Sequence, residues 1–77
     1  MPDVAEQKQI LRDKNTERAK AIALHTGYSH AKVNSELNRS VHIKRITEAT
    51  VAELERRLEK ADQWLTQAQA PRYKLLN

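Results

Sequence analysis

Apolar residues fall along this chain in three separate rhythms, and each predicts a helix. The clearest is Val51, Leu54, Leu58, Ala61, Leu65 and Ala68, spaced three, four, three, four and three apart, which is a heptad seam along one face of a helix spanning about 50–70. Upstream, Val33, Leu37 and Val41 recur at i, i+4 and i+8 and give a shorter helix over about 29–40. The first rhythm is the least regular. Leu11 and Ile22 share one face of a helix over about 3–25, whereas Leu24 points nearly opposite Ile22 and aligns with Ala21 and Ile10. That arrangement wedges the end near Leu24 between two partners. Arg12 to Arg18 is a run of seven polar residues in which Asn15 or Thr16 can cap a fresh start, so a kink or break is expected near 13–16.

The ends of these helices are written in capping residues. Asp3 with Glu6 opens the first helix, and Gly27, the only glycine, closes it from the left-handed region. Ser29 opens the second helix directly afterwards, which makes a tight helix-turn-helix. Thr50 and Glu53 form a capping box for the third helix, with Ala49 and Leu54 as a small hydrophobic staple, and Pro71 stops it at or before Ala70. Glu53 with Arg57, and Arg56 with Glu59 and Lys60, are assigned to the outer faces of that helix. At about 1.5 Å per residue the third helix is longer than the second can cover. Either the first helix lies antiparallel beside it, or part of the seam serves another chain.

The fold class is therefore all-α, a three-helix domain over residues 1–70 with a helix-turn-helix core, followed by a basic tail at 71–77 that can fold back over Trp64. The core stripes are Ile22, Val33, Leu37, Val51, Leu54 and Leu58. With 77 residues, no Phe and one Trp, the interior is a single core of small aliphatic side chains, too small to share with an elaborate active site. The seam contains two alanines, which bury little area, so the expected state is a monomer. The chain has no cysteine, which removes disulfides and thiolate zinc sites and fits a cytoplasmic setting. No stretch approaches the roughly 18 apolar residues of a membrane span, so no membrane association is expected.

Charge narrows the chemistry further. The formal net charge is +4, and between Thr26 and Ile46 Lys32, Arg39, Lys44 and Arg45 stand against one acid, Glu36. A local basic face of this kind attracts a phosphate backbone by releasing condensed counterions. Catalytic and metal chemistry find no comparable support. His25, His30 and His42 include no i, i+4 pair, Ser29 and His30 are neighbours that do not face each other, and Glu55, Glu59 and Asp62 alternate with basic residues as on a solvated face. One glycine cannot build a phosphate-cradling loop, so no enzyme activity and no cofactor are expected of this chain.

Two resemblances bear on function. The stretch T-G-Y-S-H-A-K-V-N-S-E-L-N, from Thr26 to Asn38, resembles the helix-turn-helix of lac-repressor-type regulators, whose pattern is small-G-x-S-x-x-x-V-x-x-x-L-N. The resemblance places base-reading positions on His30, Ala31 and Ser35, and the two small residues there make no bidentate base contact. A longer resemblance, over roughly residues 18–65, is to a small helical module toward the C-terminus of some bacterial superfamily 2 helicases of the DEAD/DEAH type. It rests on Thr26, Gly27, His30, Val33, Leu37, Arg39, Ala49, Thr50, Leu54 and Arg57. It implies an accessory domain beside an ATP-driven motor, guiding nucleic acid or docking on the motor. The expected function is a non-catalytic nucleic-acid-binding module, with DNA as partner, mostly backbone contacts, and His30, Lys32, Ser35, Arg39, Lys44 and Arg45 as contact residues. The alternatives are a protein-interaction module using the heptad seam and a helix-turn-helix transcriptional regulator.

Overall fold

A computed structural model describes residues 2–70; the tail at 71–77, and with it the fold-back over Trp64, lies outside the described residues. Three α-helices account for most of the chain: α1 (Val4–Thr26), α2 (His30–Ser40) and α3 (Val51–Gln69), with a short 3-10 turn at Ile46–Glu48 before α3. The domain is all-α, as the periodicity predicts.

The caps form where the sequence places them. The Glu6 N–H donates to Asp3 Oδ1 at 2.8 Å, and Gly27 takes φ 79° while its N–H donates to the Ala23 carbonyl at 2.9 Å. The Lys32 N–H donates to Ser29 Oγ at 3.1 Å, and Thr50 and Glu53 complete a reciprocal capping box. Each satisfies a backbone group that a helix end would otherwise leave open.

The helices run up, down and up. Contacts ascend together along α1 and α3, from Asn15 with Leu54 and Arg57 to Arg18 with Asp62 and His25 with Gln69, so these two helices are parallel. This corrects the expected antiparallel pairing. The 11-residue α2 supplies the reversal, with Tyr28 beside Trp64 and Asn38 beside Arg57. Most of the contact between helices is made by α1 against α3.

The interior also departs from expectation at several named positions. α1 is unbroken through 13–16, and Asn15 caps nothing; it is buried at 0% exposure and donates to the Leu11 carbonyl at 2.8 Å and the Leu54 carbonyl at 3.2 Å. Two carbonyls in one direction satisfy its amide, which removes any reason to break the helix. Leu24 is 82% exposed and is not wedged between partners, because α1 turns its small residues inward. Its buried positions are Asn15, Ala19, Ile22 and Ala23, a stripe at i, i+4, i+7 and i+8 in which Ile22 is the only large apolar side chain. Arg57 is not on an outer face of α3: it is 1% exposed. Of the expected core residues, Ile22, Val33, Leu37 and Leu54 are buried, while Val51 and Leu58 are half-buried. Ala19, Ile22, Ala23, Val33, Leu37 and Ala61 pack as one cluster with Trp64 and Leu65 against it.

Candidate nucleic-acid interface

The turn between α1 and α2 begins with a threonine serving both sides. Thr26 Oγ1 donates to the Ile22 carbonyl at 2.7 Å and accepts from the Tyr28 N–H at 3.2 Å. Gly27 then reverses the chain and Ser29 starts α2, whose Val33 and Leu37 are buried at 0% and 2% exposure. Because that face is fixed inward, Ala31, Ser35 and Arg39 fall opposite it by the 3.6-residue period. His30, Lys32, Ser35, Arg39, Lys44 and Arg45 are all exposed.

They share one helix and the loop after it, yet among the described residues no side-chain hydrogen bond or ion pair joins one of them to another. Arg39 Nη1 stands 3.7 Å from Glu36 Oε1, and Arg45 Nη1 stands 3.9 Å from Glu48 Oε1. Pairs this long and exposed contribute about 0–1 kcal/mol and exchange easily for another anion. Lys32 lies over the Tyr28 ring, its Nζ 4.2 Å from the centroid. The Lys44 carbonyl accepts from Asn38 Nδ2 at 3.4 Å, which holds the loop against the end of α2.

That loop is built by a helix stop that needs no glycine. His42 has φ 57°, its N–H donates to the Arg39 carbonyl at 3.2 Å, and the Ile43 N–H donates to the Asn38 carbonyl at 3.0 Å. Together these are the bonds of a Schellman motif, with histidine in the left-handed position where glycine is commonest. His42 thus has a structural task within the loop.

Behind this surface lies a polar layer that does not follow from the apolar rhythm. Arg57 donates from Nε to Asn38 Oδ1 at 2.9 Å, from Nη1 to Asn15 Oδ1 at 2.9 Å and from Nη2 to Asn34 Oδ1 at 3.0 Å. All three helices meet on one guanidinium, and none of these partners is charged. Burial holds the Arg57 pKa below the usual arginine value, because the charged form has lost water. The group stays protonated at neutral pH. Removing one partner from a buried charged set costs about 3–5 kcal/mol, whereas replacing the whole set by apolar side chains is often neutral, so the layer is a weak net source of stability. The layer chiefly fixes how the helices fit together.

A signal for Arg57 exists in the spacing. It stands three after Leu54 and four before Ala61, as regular a position as Leu58, and Asn15 likewise precedes Ala19 by four and Ile22 by seven. Both residue types read as polar, which assigns Arg57 to an outer face and Asn15 to a cap.

Tyr28, Trp64 and Lys60 also escape the sequence argument. The Tyr28 and Trp64 rings meet edge to face, with centroids 6.3 Å apart and planes at 60°, at one end of a groove of about 510 Å³ between α2 and α3. Among the described residues no group of three or more His, Cys, Asp or Glu side chains is placed to hold a metal ion. No helix among them is long and apolar enough to cross a membrane. Comparison with protein-family models, curated proteins and solved structures gave no match.

Proposed function

We propose that this chain is a non-catalytic nucleic-acid-binding module that works beside an ATP-driven helicase motor, gripping phosphates through Lys32, Arg39, Lys44 and Arg45. The observation that carries this reading is a contrast between two surfaces. The surface of α2 and its following loop is exposed and basic, while the heptad seam, which a protein-interaction module would use, has no fully exposed member: Leu54 and Ala61 are buried and Val51, Leu58, Leu65 and Ala68 half-buried. A seam covered within the chain has little apolar area left for a second copy, and a bare basic face suits a polyanion.

Small side chains at Ala31 and Ser35 favour backbone contacts over base reading, which weighs against a sequence-specific regulator. Arg39 and Arg45 exchange Glu36 and Glu48 for phosphate oxygens at little cost. Docking on a protein draws on a different feature, Leu24, whose 82% exposure leaves a large apolar side chain on the outer face of α1.

The test is a salt titration of binding to labelled DNA, starting at about 50 mM. Four phosphate contacts give a slope of log affinity against log salt of about −3.6 on duplex and about −2.8 on a single strand. Replacing Lys44 and Arg45 together by alanine should flatten the duplex slope by about 1.8 while the helical circular dichroism stays the same. Absence of binding to DNA and RNA at the lowest salt would refute the nucleic-acid role and favour docking on a protein.

A further inference from the structure

The groove between α2 and α3 has the composition of a site for an unpaired base. Its α2 side presents Lys32 and Glu36, its α3 side presents Lys60 and Trp64, Tyr28 closes one end, and its volume is about 510 Å³. Tyr28 is 44% exposed, a large cost in apolar area for a chain with three aromatic residues in all. Trp64 is half-buried, packed on the apolar cluster, and its remaining surface helps line the groove.

From this we infer that the Tyr28–Trp64 corner stacks an exposed base of single-stranded nucleic acid, with Lys32 and Lys60 taking the flanking phosphates. The inference rests on the nucleic-acid reading above and adds to it a strand preference. With the rings at 60° to each other, a base lying flat on one meets the edge of the other, the two arrangements aromatic groups favour. Lys32 over Tyr28 makes an exposed cation–π contact that a phosphate oxygen can replace. Glu36, half-buried on the same side, repels phosphate but accepts a hydrogen bond from a base N–H, such as the N3–H of thymine, so it belongs opposite a base edge. A paired base inside a duplex exposes no face to such a corner, whereas a single strand does.

Trp64 is the only tryptophan, so its fluorescence reports on this groove without a label. The experiment titrates the protein at about 50 mM salt with oligothymidylate, with an abasic strand of the same length and charge, and with duplex. Oligothymidylate should quench Trp64 and bind more tightly than the abasic strand. Tyr28→Ala should lower the affinity for oligothymidylate by roughly 5- to 150-fold, the range for losing one stacked base, with no change for the abasic strand. Tyr28→Phe, which keeps the ring, should retain the difference. Equal binding of the two single strands with unchanged Trp64 emission overturns the stacking site while leaving electrostatic binding intact. No binding of any of these strands, nor of oligouridylate of the same length, overturns both readings together.

Discussion

Hydrogen bonds at the α1–α2 turn span four residues at most: Gly27 to Ala23, Thr26 to Ile22, Tyr28 to Thr26 and Lys32 to Ser29. Around Arg57 they span 19, 23 and 42 residues, and the bond from Asn15 to Leu54 spans 39. The turn can form from a short piece of chain, whereas the central layer exists only when all three helices are in place. Local bonds fix where helices begin and end, and distant ones fix how they are rotated and aligned against each other. A change at the turn should therefore cost what one strained residue costs, and a change in the layer should be felt by the whole domain.

The largest effect is expected at Arg57. Arg57→Ala removes a fully buried side chain, leaves a cavity and strips Asn15 Oδ1 of its donor, so urea unfolding should show a loss of about 3–5 kcal/mol, at or above that for Leu37→Ala, about 2–5 kcal/mol. Asn34 is exposed and Asn38 half-buried, so water can satisfy them once Arg57 is gone. Asn15 alone is sealed. The double substitution Asn15→Leu with Arg57→Leu should therefore be more stable than either single change, since removing both polar partners avoids an orphaned group. A double mutant that loses the sum of the two single losses would break the comparison, because the layer would then not act as a unit.

A middle-sized effect is expected at the turn. Gly27 has φ 79°, and an added Cβ there would meet nothing within 4 Å, so the cost of Gly27→Val is conformational. Holding a β-branched residue in that region costs about 1–3 kcal/mol. Thermal melts should place Gly27→Val between wild type and Arg57→Ala. A loss as large as that of Arg57→Ala would mean the turn is no more local than the layer.

The smallest effect concerns the start of α3. The Thr50 N–H donates to Glu53 Oε1 at 2.9 Å, and that bond holds the Glu53 pKa below its ordinary value of 4.5. A carboxylate with a lowered folded pKa adds stability that is fully present above its unfolded value and is lost as pH falls through the folded one. Melts of wild type against Glu53→Gln should therefore differ more at pH 6 than at the acid end of the range. Curves that stay parallel throughout would show that the box contributes no pH dependence.

Much of this fold was legible because caps announce themselves with few residue types. Asp3, Gly27, Ser29 and Thr50 each act within a few residues of themselves, and all four sit where their chemistry requires. The rotation of α1 was legible only at Ile22, because the rest of its inward stripe, Asn15, Ala19 and Ala23, is polar or small while Ile10 and Leu24 face out at 47% and 82% exposure. Apolar periodicity points at large side chains, and on α1 Val4, Ile10 and Leu24 mark the outer face. The way α2 stops was not legible for a similar reason, since His42 does what glycine usually does. As for the candidate site, exposure of His30, Lys32, Ser35 and Arg39 follows from α2 burying Val33 and Leu37. The Tyr28–Trp64 corner needs a contact across α2 and α3, and no local pattern encodes that.

One of the positive charges in this protein has no opposite charge to cancel it. Arg57 is dressed by amide oxygens, which orient their dipoles toward it but do not neutralise it, and dissolved ions cannot approach a group that is 1% exposed. Its field therefore passes outward through low-dielectric surroundings, and Asn34 and Asn38 place its nearest outlet on the flank of α2 beside the loop that carries Lys44, whose carbonyl Asn38 bonds. The residue that locks the three helices together is thus also a fixed electrode behind that loop. In the proposed nucleic-acid role it would raise the rate at which a polyanion is drawn in, and it resists screening better than flexible surface charges.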